Sequence, residues 1–471
     1  MMSLEQLPEE LQEIRSYLPE VVRRLEERIP YVSALVTQEY GMQLTVDNKQ
    51  TNISEKQPRR GIVFTLFNGR FFQEWATDQL ERNYLMGKID EMYHLLETMD
   101  TMPERFNIDP GLQLDKHFVS EFSIDPDTVT LADMVDACKD VITTVQSMDS
   151  KITNAVVHYH DGKEHKIFVN RNKVLSSSLT LCGIQLVAVG RNKGKTRVNM
   201  LGSGGVTGFE AIRFKRSQLE EMIRDLNLMF RNESLDPGMY DVISSPEVSG
   251  ILAHEAFGHG VETDMFVKKR AKAAEYMGEM VASPLVGMID DPSLPGLNGS
   301  YFFDDEGQLS GPTQIIESGI LKNGLTDLRS ATVLGLSRSA NGRRESFERK
   351  VYARMSNTYF EPGASTFEEM LSNLDDGLYL KRSSSGMEDP KGWGIQVTIN
   401  MALKVKNGKL TDTIYAPLTM TGYVPELLQS ITETGSDLGF MGAGGRCGKG
   451  HKEMVRVTAG GPHLRFKARL G

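Results

Sequence analysis

Apolar residues recur at steps of three and four between residues 4 and 27, at Leu7, Leu11, Ile14, Leu18, Val22 and Leu25. That spacing keeps one face apolar and predicts an amphipathic helix. The texture then turns strand-like over 31–45 and 61–75, in runs such as Ile62-Val63-Phe64-Thr65-Leu66-Phe67. Asn68-Gly69 supplies a tight hairpin turn there. Helical spacing returns over 79–98 and 130–148. Residues 155–160 and 166–170 predict a hairpin about Asp161-Gly162. Strands follow at 176–189 and 197–201, and a helix at 214–230.

Residues 231–238, Arg-Asn-Glu-Ser-Leu-Asp-Pro-Gly, read as a linker. Beyond them Gly, Ser and Pro become more frequent and the apolar runs shorter. Short β-like segments lie at 310–322, 394–403, 404–415 and 454–469. The pattern predicts an α+β protein: an N-terminal α/β domain over 1–232, and a mainly antiparallel β domain over 233–471 that carries one central helix.

Composition narrows the function. The 471 residues carry a net charge of −10, which argues against a dedicated nucleic-acid surface. Basic clusters such as Lys268-Lys269-Arg270 are short. No apolar run is long enough to span a membrane, and the first 28 residues do not read as a signal peptide. Three cysteines, Cys138, Cys182 and Cys447, cannot build a disulfide framework. The expected compartment is the reducing cytoplasm.

The central helix carries the chemistry. Ser245 and Pro246 form a good helix start, a capping hydroxyl followed by proline at the first turn. Next come His254-Glu255-Ala256-Phe257-Gly258-His259. Two imidazoles can bind a metal, and the glutamate between them can take a proton from water. In the usual H-E-x-x-H zinc signature, a step of four stacks both rings on one helix face. Here the step is five, which turns the second ring by about 140° on a regular helix, against about 40° for a step of four. Gly258 and Gly260 flank His259. A π-type bulge or an early helix end near Gly258 would bring the rings back together.

A catalytic zinc takes three protein ligands and keeps a position for water. Glu262 and Asp264 are candidates close by. Cys447 is a distant one, in the glycine-rich run Gly442 to Gly450, where Arg446 and Lys449 would favour the thiolate. His451 is near enough to compete. By residue type alone these alternatives stay open.

His254 to Asp264 resembles the signature of the TldD/PmbA metalloprotease family, on its TldD-like side. Three more segments agree in order and separation: Phe303-Asp304-Asp305-Glu306-Gly307; Asn341-Gly342-Arg343-Arg344-Glu345-Ser346 followed by residues 354–363; and Cys447-Gly448-Lys449-Gly450. The resemblance implies a zinc peptidase with His254, His259 and Cys447 as ligands and Glu255 as general base. It implies unfolded or extended peptides as substrates. It also implies a dimer, either of two copies or with a related chain; the expectation of no nucleic-acid and no membrane partner comes from the charge and the lack of a long apolar run. The segment His451-Lys452-Glu453 departs from the family by its charge, which bears on substrate choice.

Two other readings can be weighed. A non-catalytic peptide-binding or assembly protein would use the same cleft without needing Glu255. Gly190-Arg191-Asn192-Lys193-Gly194-Lys195-Thr196 looks like a phosphate loop, but has three residues between its glycines where four are needed. It reads as a basic hairpin turn, and Gly202 to Gly208 as a loop. Arg343 and Arg344 are either structural ion pairs or parts of a cleft or interface. Residues 385–396 would offer an edge strand to an extended peptide.

Overall fold

The computed structural model of the chain describes residues 7–97, 106–442, 444–450 and 453–471. The start of the helix expected from residue 4, the end of the one expected over 79–98, and His451 lie outside them. The fold is α+β. The first sheet runs in the order Phe72–Thr77, Thr51–Phe67, Tyr31–Val46, Ile152–Asn170, Lys173–Asn192 and Leu114–Val119, with Lys195–Gly205 also paired to Lys173–Asn192. Only the pairing of Leu114–Val119 is parallel. The helix Glu9–Glu26 lays Leu11, Leu18 and Leu25 against Val32, Ala34 and Ile167 of this sheet. The helices Leu131–Met148 and Arg216–Met229 cover another stretch through Cys138, Ile142 and Met222.

Two sequence expectations fail here. Asp161-Gly162 is no hairpin turn. Ile152–Asn170 is one continuous strand, and it pairs with Tyr31–Val46 through Asp161 and Gly162. The backbones are so close that a Cβ on Gly41 would stand 2.2 Å from the Asp161 carbonyl oxygen. Asp161 spends its turn-forming carboxylate on the Met42 amide and the Tyr159 hydroxyl. Long-range pairing outweighs the local turn signal. The hairpin at Lys193-Gly194 does form, with both residues at positive φ. Gly202 to Gly205 ends a strand and is not a loop.

The later strands form two larger sheets. In one, Asp376–Asp389, Gly238–Ser244, Leu464–Leu470, Leu418–Tyr423 and Gly394–Lys406 follow one another. A further pairing of Asp376–Asp389 with Gly394–Lys406 closes that ring. In the other, Asn357–Phe360 and Thr458–Gly461 lie side by side. The helix Pro246–Ala253 packs against both sheets. Ser245 caps it by accepting from the Val248 amide at 3.5 Å, and a Cβ at Gly250 would stand 2.8 Å from the Gly460 nitrogen. The sheets therefore hold the motif helix rigidly, with Val248, Leu252 and Ala253 buried. Among the described residues, no helix is long and apolar enough to cross a membrane.

Candidate metal centre

The five-residue spacing is resolved by the backbone. After Ala253 the helix widens to a π turn over His254–Gly258, closed by the His259 amide donating to the His254 carbonyl. This i→i+5 bond sets residues five apart on one face, as a π-bulge does. The two imidazoles end with centroids 5.0 Å apart and planes at 85°. Gly258 contributes space and not unusual dihedrals. Its φ is −71°, but a Cβ there would stand 2.1 Å from the Met355 sulfur.

Cys447 arrives from the hairpin Arg446–Lys449/Glu453–Arg456. Its sulfur lies 3.3 Å from the His259 Nε2. One ligand atom each from His254, His259 and Cys447 falls within 4.8 Å of the others. Burial pushes the Cys447 thiol up, but hydrogen bonds from His254 and His259 outweigh it and bring the pKa down to about 5. The groups that lower it most are the two imidazoles, and not Arg446 and Lys449, to which the sequence pointed. Burial also opposes a charged His259, yet the Glu262 carboxylate and the Cys447 sulfur hold its pKa well above the usual value.

The sequence candidates separate into two roles. Glu262 and Asp264 stand outside the three-atom cluster. Glu262 is 3.2 Å from the His259 Nδ1 and accepts from the Lys449 ammonium at 2.9 Å. Asp264 accepts from Lys449 and from Lys268. A histidine ligand commonly has its other ring nitrogen held by a carboxylate in this way. Burial works against the Glu262 charge, but Lys449, His259 and Arg354 keep the carboxyl well below its usual range.

Three residues here went unassigned on the sequence. Arg354 is 1% exposed. It donates to the Cys447 carbonyl at 2.5 Å and to the Glu453 carbonyl at 3.2 Å, so it pins both strands of the ligand hairpin. Glu388 lies across the cleft with both carboxylate oxygens shielded and unpartnered. Burial, reinforced by Glu255 and Glu262, raises its pKa to about 9. Gly386 allows Glu255 its place, since a Cβ there would stand 2.3 Å from the Glu255 Cγ. Only its glycine identity, beside a strand-like run, signalled this. Arg343 and Arg344 serve the frame. Arg343 donates to the Met355 and Arg456 carbonyls, and Arg344 pairs with Glu74 at 2.7 Å.

The donor set fits a zinc ion: two imidazoles and a thiol whose pKa is lowered to about 5, beside the buried, unpartnered carboxyl of Glu388. The cluster lies in a cleft of about 570 Å³ lined by Glu255, Gly386, Glu388 and Arg446 among others.

Residues 237–469 match the family model for the PmbA/TldA metallopeptidase C-terminal domain. A metalloprotease of Methanothermobacter thermautotrophicus is 30% identical over 321 residues, 67% of this chain and 69% of that protein. The chain belongs to the PmbA/TldD metallopeptidase family. Another PmbA/TldD relative, a zinc metalloprotease TldD homolog of Saccharolobus solfataricus, is 31% identical over 231 residues, 49% of this chain and 51% of that protein. The fold is also that of a crystal structure of a candidate modulator of a DNA gyrase from Thermotoga maritima. That match has a TM-score of 0.77 at 17% identity and covers 98% of this chain and 100% of the other. Through Met355 beside Gly258 and Arg354 on the Cys447 carbonyl, the Asn341–Gly363 segment meets both the His254–His259 turn and the Cys447 hairpin.

Proposed function

We propose that the protein is a zinc peptidase that hydrolyses unfolded or extended peptides. The observation that carries this is the meeting of His254, His259 and Cys447 in one cluster with Glu255 in the same turn. Bound zinc supplies Lewis acidity toward a water and the scissile carbonyl. Glu255 takes the proton of the attacking water on its carboxylate and returns it to the departing amine nitrogen. Glu262 fixes the tautomer and plane of His259. The strand Asp376–Asp389 supports a preference for extended substrates. Its pairing with Gly238–Ser244 covers only Leu378 to Leu380. From Ser385 to Asp389 one edge has no strand partner among the described residues, and Gly386 to Glu388 line the cleft. Main-chain pairing along such an edge binds peptides with little demand on sequence. A dimer, of two copies or with a related chain, and the reducing cytosol complete the reading. The three cysteines stand free.

Zinc removal tests the proposal. Dialysis against a chelator is expected to abolish digestion of a denatured protein substrate, and one equivalent of zinc to restore it. Full activity without metal would overturn the reading and favour a non-catalytic binding role for the Cys447 cluster. Glu262→Gln is expected to weaken zinc binding about 10–100-fold, read by competition with a chelating dye. Unchanged affinity would mean that His259 needs no carboxylate to orient it.

A further inference from the structure

A second cavity, of about 470 Å³, borders the same hairpin that carries Cys447. Its lining includes Gly41 and Gly162, which are paired on neighbouring strands. Arg446 lines both this cavity and the cleft of the His/Cys cluster, so the two spaces share a wall. The lining holds eight Lys or Arg side chains against five Asp or Glu, so its polarity is positive.

Most of those cations are already held. Lys166 pairs with Glu164 and Asp305, Lys163 with Asp125, and Arg344 with Glu74. Arg446 is the exception: among the described residues it has no ion pair and no hydrogen bond. It stands directly opposite Arg456 in the hairpin register. Like charges facing one another across a β pair repel. Arg456 is neutralised by Glu164 at 3.0 Å; Arg446 has no such partner. Its field reaches His160 in the cavity wall, whose pKa is lowered first by burial and then by Arg446. The hairpin therefore presents an uncompensated guanidinium one residue away from Cys447, at the mouth of a positively lined cavity. A guanidinium is shaped to bind a carboxylate through two hydrogen bonds.

We propose that this second cavity is an anion subsite. With Arg446 as its principal donor, it takes a carboxylate of the peptide whose scissile bond lies at the His/Cys cluster. The inference rests on the peptidase reading above. The carboxylate is either an Asp or Glu side chain or the free C-terminus of the peptide, and the test separates the two.

The test uses the zinc-loaded full chain carrying Glu255→Gln, so that peptides bind without being cut. Four fluorescein-labelled peptides share one neutral, unstructured core. One ends in Glu residues with a free carboxylate and one in the same residues amidated. The other two carry Gln in place of Glu, with a free and an amidated end. Anisotropy at low salt is expected to show about tenfold tighter binding of the Glu peptides, or of the free-end peptides, than of the amidated Gln peptide. A Glu preference assigns the site to side chains, and a free-end preference to the terminus. Arg446→Ala is expected to erase the preference and Arg446→Glu to invert it, so that the amidated Gln peptide binds most tightly. Arg446→Lys is expected to retain part of it. Equal binding of all four peptides, or a preference untouched by Arg446→Ala, would overturn the subsite and leave the peptidase reading standing. Failure of the zinc-loaded wild type to cleave any of the four would count against the peptidase reading itself.

Discussion

Glu255→Gln is expected to lower kcat for peptide hydrolysis about 10²–10⁴-fold, the usual contribution of a positioned general base, with zinc still bound. Glutamine keeps the shape of the side chain and removes its ability to take a proton. Glu255 is 7% exposed and makes no hydrogen bond within the described residues, so the exchange leaves no internal partner unsatisfied. The π turn that aims it is closed by backbone atoms of His254 and His259, which the substitution does not touch. The bare backbone at Gly386 leaves room for either side chain. Because the interaction exists only as the proton moves, kcat and kcat/KM should fall together. Peptide digestion and metal analysis on one preparation read both outcomes. Cleavage at the wild-type rate with stoichiometric zinc would remove Glu255 from the chemistry.

The parts of this architecture that depend on residue type and local spacing were legible in the sequence. The cap at Ser245, the turn at Lys193-Gly194 and the π-type bulge needed by the five-residue step are local chain physics. Cys447 could be named as a ligand candidate because a thiolate suits zinc and its glycine-rich run can bend and approach closely, and the family resemblance singled it out. What was not legible depends on distant backbone. Asp161-Gly162 carries a strong turn signal, yet strand pairing on both sides keeps it extended. The constraint that demands glycine at 258 is the sulfur of Met355, nearly a hundred residues onward. Lys449 looked like an activator of Cys447 and instead neutralises Glu262 and Asp264. In each case the deciding partner is a carbonyl, an amide or a side chain that only the tertiary fold brings near.

Arg354→Ala is expected to have the second large effect, on stability and on the metal site together. Arg354 is fully enclosed, and its guanidinium holds two carbonyls of the ligand hairpin and lies 3.7 Å from Glu262. Alanine leaves the Cys447 and Glu453 carbonyls without that donor and withdraws one of the cations near a buried carboxylate. Breaking a buried charge arrangement by deleting one member costs about 3–5 kcal/mol. Lys449 and His259 remain on Glu262, so the lower end of that range is expected. The hairpin should then hold Cys447 less firmly, and zinc affinity should fall about 10–100-fold, as for other losses in the support of a ligand. Arg354→Lys keeps the charge but offers a point donor in place of a planar fork. It should recover more of the unfolding midpoint than of the zinc affinity, because the charge near Glu262 returns while the two-carbonyl clamp does not. Absorption of the cobalt-substituted protein reports the thiolate contact directly, and chemical denaturation reports stability. A variant that retains both the thiolate band and the wild-type midpoint would show that the hairpin is positioned without Arg354, through Lys449 and Arg343 alone.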